Sequence, residues 1–285
     1  MTGPGLPSGP IRRTDTTGVL AGVCADIKPS IESSRATGKS WYLDISKQYN
    51  AFEGSPTFFP IFLVPIAAAG EIQRMTFLLP WLLIAIGSYL LGSVPVGYLA
   101  GQACGIDLRT KGSGNIGATN ALRVLGKPWG YCVFLLDFLK GLIPVLAALH
   151  WGKGVGMNPP TTPGALAALC VLLGHSYPVW LGFRGGKGIA SSAGVIIGLF
   201  GPAAFLFCLG IWMLLFTITR YVSAASIAAS IALPATVTVL FVLRRLDWLA
   251  LAVSILMCVL AVWRHRSNIA RLRAGTEPHF EKKSK

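Results

Sequence analysis

The chain has 285 residues, of which 53% are hydrophobic and only 13% charged, and it carries a net charge of +14. Soluble domains carry about a quarter charged residues, so this composition excludes an ordinary soluble globule and specifies an integral membrane protein. The basic residues are scattered through loops between apolar runs, which argues against a nucleic-acid partner and for loops that meet anionic headgroups or anionic substrates.

Residues 1–74 differ from the rest, being rich in Gly, Pro, Ser, Thr and charge without a sustained period. Their one apolar run, 58–70, is short for a span and is interrupted by Pro60 and Pro65. We expect a poorly ordered N-terminal extension or a misplaced start, with Met75 a natural first residue and the membrane domain at 75–285. Seven apolar runs follow, at 76–99, 129–150, 164–183, 189–200, 202–219, 222–243 and 248–263. The fourth is too short to cross about 30 Å of hydrocarbon unless it is tilted or re-entrant. Pro95, Pro144, Pro178 and Pro234 are expected to kink or break four of the runs, which membranes tolerate where a helix lines an enclosed cavity. The expected fold is therefore an all-α integral membrane protein of about seven transmembrane helices, some short or broken. Cys24, Cys104, Cys132, Cys170, Cys208 and Cys258 form no CxxC pair and read as free thiols, not as disulfides or metal ligands. No metal or other cofactor is expected.

With the first run entering from outside, Arg109, Lys111, Arg123, Lys127, Arg184, Lys187, Arg220 and the basic tail from Arg264 onward share one side. Lys153, Arg244 and Arg245 take the other. The positive-inside rule makes the first side cytoplasmic and puts three polar motif loops there together. In GSGNIGATNALR (112–123), Gly112 and Gly114 free the backbone to form an anion-binding concavity. Ser113, Asn115, Thr119 and Asn120 add hydrogen-bonding groups, and Arg123 a planar fork suited to phosphate. Taken alone, the motif reads more readily as a membrane-surface loop with a helix cap, and its company elsewhere in the chain reverses that. In GFRGGKGIASSAG (182–194), Gly185, Gly186 and Gly188 surround Lys187 just before a helix start, an arrangement suited to an oxyanion. It is not a P-loop, because Gly188 and Leu181 stand where that motif needs a hydroxyl and a glycine; a tight turn with a snorkelling lysine is the alternative. In RHRSNIARLRAG (264–275), His265 and Asn268 lie three apart on one helix face, as acid, base or hydrogen-bonding groups, although a basic tail on anionic lipid has the same pattern. Asp137 and Lys140 are spaced to pair within the second run, His175 suits a buried hydrogen-bonded role, and Tyr221, Ser223 and Ser226 open the sixth run on the same side.

With these motifs in hand, the chain resembles the bacterial acyl-phosphate:glycerol-3-phosphate acyltransferases. The matching stretches are LLGSVPVGYLAG (90–101), KGSGNIGATNALRVLG (111–126), LLDFLKG (135–141), GHSYPVWLGFRGGKGIASSAG (174–194), TRYVSAASI (219–227) and WRHRSNIARLRAGTE (263–277), in the family's order and spacing. The resemblance implies a multi-pass enzyme of the bacterial inner membrane with its site on the cytoplasmic face. Its implied substrates are glycerol 3-phosphate and a long-chain acyl phosphate, its products lysophosphatidic acid and phosphate, and its surroundings membrane lipids. Ser113, His265 and Asn268 become the catalytic candidates. Gly112, Gly114, Asn115, Thr119, Asn120, Arg123, Gly186, Lys187, Gly188, Ser223 and Ser226 become the substrate-binding candidates, with Arg123 and Lys187 on glycerol 3-phosphate. Acyl phosphate is already activated, so no protein nucleophile is required; the hydroxyl proton goes to His265 or to a substrate phosphate. Between these we favour His265 as a hydrogen-bond donor to the acyl phosphate. An organophosphate transporter is disfavoured by the absence of an internal repeat. An acyl-CoA enzyme of the His-x4-Asp type is disfavoured because no histidine has Asp five residues on.

Because residues 1–74 carry none of the matching motifs, a chain starting at Met75 is expected to insert in membranes and keep full activity. Loss of activity in such an inserted, well-expressed 75–285 protein would show that the extension contributes to the enzyme.

Overall fold

In hydrocarbon every backbone N–H and C=O must be satisfied within its own segment or by a packed neighbour, and helices meet that demand for a chain this apolar. The computed structural model describes residues 78–280, and no strand occurs among them. The expectations for residues 1–74, for Met75 and for the last lysines lie outside the described residues. Helix α1 covers 78–93 and α2 Val96–Ala103, with the interruption at Val94 and Pro95. The short α3 (Ala118–Val124) leads into α4 (Lys127–Gly154) and α5 (Thr162–Ser176). A single 3₁₀ turn at Val179–Leu181 precedes α6 (Ile189–Val195), which widens into a π turn at Ile196–Phe200. Then come α7 (Gly201–Thr219), α8 (Val222–Val242), α9 (Trp248–Arg264) and α10 (Arg266–Arg273). Prolines stand in the first turn of α4, α5 and α7, where a missing N–H costs nothing. Pro95 and Pro178 fall at breaks as expected, whereas Pro144 and Pro234 lie inside continuous helices.

Five stretches are long and apolar enough to cross a membrane, and a sixth joins them if α9 and α10, bent by 53°, count as one. One of the five, Ile189–Thr219, merges the fourth and fifth expected runs. Gly201 within it has φ 84° and ψ 174°, far from helical values, so α6 and α7 meet at a turn. Their outer ends confirm a reversal. Residues 185 and 186 are bound by Arg264, and the Arg220 carbonyl accepts from the Phe280 N–H, so both ends of the stretch lie beside the α9–α10 region. The opposite end of the bundle is tied where the Thr161 hydroxyl donates to the Asp247 carboxylate, which also accepts from the Ala250 N–H to cap α9.

The helices pack through glycines that let backbones touch. A Cβ on Gly141 of α4 would lie 2.1 Å from the Ser191 carbonyl oxygen of α6, and one on Gly194 would lie 2.1 Å from that of Phe138. Gly92 and Gly174 make the same reciprocal fit between α1 and α5, with 2.2 Å to Val171 O and 2.2 Å to Tyr89 O. Large apolar side chains such as Leu82, Leu83, Phe134, Leu206 and Ile255 remain exposed, as a lipid-facing surface requires. The charges inside the bundle are paired: Lys140 Nζ is 2.7 Å from Asp137 Oδ1 and donates to the Val94 carbonyl at 2.8 Å, satisfying an acceptor left open by the α1–α2 break. His175 Nδ1 lies 3.2 Å from Ser191 Oγ and 3.8 Å from Asp137 Oδ1, the buried hydrogen-bonded role expected of it.

Replacing Gly194 with Leu should force α4 and α6 apart, costing about 3 kcal/mol or more and roughly 6–12 °C in thermal midpoint in detergent. Gly210→Leu, where a new Cβ meets nothing within 4 Å, should leave the midpoint unchanged. Equal midpoints for the two variants would contradict the close α4–α6 contact.

Candidate functional site

Gly112 and Gly114 of the first motif loop have φ 59° and φ 69°, and a Cβ on Gly112 would come within 2.3 Å of Asn120 Oδ1. Asn120 is the reason for the close approach. Its Oδ1 accepts from the Ser113 N–H at 2.9 Å, and its Nδ2 donates to the Leu108 and Lys111 carbonyls at 3.1 Å each. Only 2% exposed, it spends its amide on the loop's own backbone, which corrects its expected role as a substrate ligand: it shapes the loop. The Gly114 N–H is likewise committed, to Lys111 O. Asn115 accepts from the Gly117 N–H at 2.8 Å, setting the chain for α3, whose first turn carries the half-buried Thr119. The half-buried Ser113 keeps its hydroxyl for other partners, and Arg123 stands in the last turn.

The second loop is pinned from two sides. The Gly185 and Gly186 N–H groups donate to the Ser176 and His175 carbonyls, so they are not free for an anion, contrary to expectation. A Cβ on Gly186 would lie 2.2 Å from His175 Nε2, the close approach that requires glycine there. From the other side Arg264 donates to Gly185 O at 2.7 Å and to Gly186 O at 2.9 and 3.1 Å, with its guanidinium 5.1 Å from the Tyr177 ring centre. Gly188, at φ 78°, turns the chain into α6. Lys187 projects between these anchors, half-buried instead of snorkelling. Burial pushes its ammonium down to about 8; Glu277 opposes the shift, and Arg271, Arg264 and Arg123 add to it.

The third element is the bend between α9 and α10. His265 stands at the bend, 2% exposed, with Nδ1 2.8 Å from the Ala261 carbonyl. A carbonyl only accepts, so Nδ1 carries the hydrogen and neutral Nε2 is a bare acceptor. This corrects the expectation that His265 donates to the acyl phosphate. Asn268, one turn on, donates Nδ2 to Glu277 Oε1 at 2.6 Å, and Arg271 Nε donates to Glu277 Oε2 at 2.8 Å. Burial pushes the Glu277 carboxyl up, but the nearby Ser223 hydroxyl, the hydrogen bonds from Asn268 and Arg271 and the Arg271 charge outweigh it and hold it below its ordinary value. Ser223, buried at the start of α8, lies against that carboxylate without closing a full hydrogen bond. Ser226 differs: its Oγ accepts from the Trp212 indole N–H at 3.1 Å, a packing contact between α7 and α8 in place of the expected binding role. The tail then crosses to the first loop. Arg123 donates to Pro278 O at 3.2 Å and stacks 4.8 Å from the Phe280 ring centre. Burial pushes the Arg123 pKa down, with Glu277 opposing.

The three loops thus converge at one end of the bundle, around Lys187, Arg123, Arg264, Arg271, His265, Asn268 and Glu277. Sequence reasoning missed Glu277 as a member. The available signal was its place, since it is the first carboxylate after a stretch holding Arg264, Arg266, Arg271 and Arg273.

The family model for glycerol-3-phosphate acyltransferase matches residues 82–275. A glycerol-3-phosphate acyltransferase of Synechococcus sp. (strain CC9902) is 47% identical over 205 residues, covering 72% of this chain and 96% of that protein. One of Geobacter metallireducens is 48% identical over 200 residues, covering 70% and 97%. Among solved structures, PlsY (YgiH), described as an integral membrane glycerol 3-phosphate acyltransferase, in its glycerol 3-phosphate form, aligns with a TM-score of 0.64 at 42% identity, covering 70% of this chain and 96% of that one. Its lysophosphatidic acid form aligns with a TM-score of 0.62 at 41% identity.

Replacing Asn120 with Ala should leave the Ser113 N–H and two carbonyls unpaired, at about 1–3 kcal/mol. Amide exchange across 108–115 is then expected to quicken by roughly 5- to 150-fold. Exchange unchanged from wild type would mean that the loop is held by something other than Asn120.

Proposed function

The chain belongs to the glycerol-3-phosphate acyltransferase family, and from that premise we propose that it transfers a fatty acyl group from acyl phosphate to the sn-1 hydroxyl of glycerol 3-phosphate at the cytoplasmic face of a bacterial inner membrane. The observation that carries this reading is Lys187: half-buried among arginines, it has no hydrogen bond or ion pair of its own among the described residues, whereas Arg264, Arg271 and Arg123 are each engaged by a protein acceptor. A cation held in that state is completed by an anion from outside, and a phosphate dianion is the strongest such partner available to it. The cytoplasmic assignment rests on the basic residues gathered at this end, against Lys153, Arg244 and Arg245 at the other.

In this reaction Lys187 and Arg123 bind the phosphate of glycerol 3-phosphate, with Arg123 releasing Pro278 O to do so. Ser113, Asn115 and Thr119, on the loop that Asn120 shapes, meet the acyl phosphate head, whose chain stays in lipid. The attacking hydroxyl donates its hydrogen bond to His265 Nε2 and is aimed at the acyl carbonyl carbon. The new C–O bond forms as the carbon–oxygen bond to phosphate breaks, so an ester and inorganic phosphate result. The proton passes to the departing phosphate. No carboxylate stands on His265 Nδ1 to stabilise an imidazolium, and burial, with the Lys187 and Arg264 charges, opposes one. His265 therefore orients the hydroxyl, and the leaving group takes its proton.

Lys187 must be protonated to hold phosphate, and its pKa in the free enzyme lies at about 8. The value of kcat/KM for glycerol 3-phosphate should accordingly fall as pH rises through about 8. Lys187→Ala should lose roughly 10- to 150-fold in kcat/KM, the worth of a charged hydrogen bond. Lys187→Arg should recover little activity, because a wide fork replaces a compact ammonium, and should lack the alkaline limb. Near-normal kcat/KM in Lys187→Ala would remove the phosphate from this position.

A further inference from the structure

We propose that Glu277 is a positioning residue that turns the Asn268 side chain so that its carbonyl oxygen, and not its NH₂ group, meets the acceptor substrate, where it selects a hydroxyl on the carbon next to the reacting one. The inference rests on the glycerol 3-phosphate reading above. The orientation of a side-chain amide follows from what its partner can do. An ionised carboxylate only accepts, so the atom that Asn268 presents to Glu277 at 2.6 Å must be the NH₂ nitrogen. Arg271, holding the second carboxylate oxygen at 2.8 Å, keeps Glu277 ionised and fixed in place.

The consequence falls on the other half of the amide. Asn268 Oδ1 is buried and has no hydrogen-bond partner. His265 Nε2, three residues back on the same face, is also an acceptor, since Nδ1 donates to Ala261 O. Two acceptors among Lys187, Arg123 and Arg271 have no use for a phosphate oxygen, which is itself an acceptor. They suit two O–H donors. Glycerol 3-phosphate has two hydroxyls, and with the reacting one on His265, the neighbouring one falls to Asn268. No other acid at this end, among the described residues, could set the amide. Among the described residues Asp107 pairs with Arg109, Asp137 with Lys140, and Asp247 caps α9 at the opposite end. The tail that carries Glu277 is fastened on both sides of the site, by Arg123 on Pro278 O and by the Phe280 N–H on Arg220 O.

The test compares two acceptor alcohols with palmitoyl phosphate as donor and the purified full chain as enzyme. 3-Hydroxypropyl phosphate keeps the reacting hydroxyl and the phosphate of glycerol 3-phosphate but lacks the neighbouring hydroxyl. Wild type should prefer glycerol 3-phosphate by about tenfold or more in kcat/KM, the discrimination available from one well-placed hydrogen bond. In Glu277→Gln the new amide can donate, Asn268 is free to turn over, and the preference should shrink to within about twofold of unity. Glu277→Asp, which keeps an acceptor-only group, should restore most of it. A wild-type enzyme with no preference overturns the inference. So does a Glu277→Gln enzyme that keeps its preference, or one that loses both activities by the same factor, since a purely structural Glu277 would lower both together. Should Glu277→Gln fail to accumulate, Asn268→Ala carries the same comparison, and a retained preference there is equally fatal. A wild-type protein that acylates neither alcohol would overturn the acyl-transfer reading itself, and this inference with it.

Discussion

Positive charge gathered at one end of an apolar bundle must be held against its own repulsion, and the three arginines whose charge acts on Lys187 are each held by a named acceptor. Arg264 is spent on the Gly185 and Gly186 carbonyls and the face of Tyr177, Arg271 on Glu277, and Arg123 on Pro278 O and the Phe280 ring. Lys187 is the member left over, which is why burial and its neighbours depress its pKa. The arrangement sets three cations engaged by the protein beside one that, among the described residues, no acceptor engages. Glu277 is central to it, since it is the acid that opposes the depressed pKa of both Lys187 and Arg123.

The precision of that cluster depends on packing below it. The Gly141–Ser191 and Gly194–Phe138 contacts lock α4 to α6, and α6 begins at the Gly188 turn next to Lys187. His175 joins the two levels. Its ring meets Ser191 and lies near Asp137 within the bundle, while its carbonyl receives the Gly186 N–H of the loop. The Asp137–Lys140 pair in turn reaches the α1–α2 break through Val94 O. Buried charge of this kind is weak support for stability but fixes relative placement, because each partner is costly to leave alone.

Much of this was legible in the residues. The apolar runs marked the helices, the i,i+3 spacing marked the Asp137–Lys140 pair, and loop charge gathered the three motifs at one end. What stayed hidden was orientation. Asn120 and Asn268 are chemically alike, yet one spends its whole amide on loop carbonyls and an N–H, and the other is divided between a carboxylate and an unfilled position. Composition does not distinguish them, because the distinction is made by partners many residues away. The same holds for Ser226, claimed by Trp212 across a helix pair, and for the Gly185 and Gly186 N–H groups, which a glycine-rich motif suggests are free but which the His175–Ser176 backbone occupies. Glu277 closes the last matching stretch but received no role, because it lies beyond the third polar motif loop itself and its importance appears only when the tail folds back across the site.

The reversal at Gly201 joins arms of unequal length. The inbound arm, Ile189 to Phe200, has 12 residues by its two elements of 7 and 5, and the outbound arm, Gly201–Thr219, has 19. At 1.5 Å per residue and equal tilt, the Lys187 loop therefore sits about 10 Å deeper than the α7–α8 turn. That depth exceeds the roughly 5–8 Å of a single headgroup layer. Under the proposed function, that difference in depth sets the chemistry at a phase boundary, where a water-soluble dianion descends one way and a lipid-dissolved acyl chain is met without leaving its solvent. Neither reactant has to cross into the other's medium, and the cost of bringing a charged phosphate to that depth is offset by cations already waiting there.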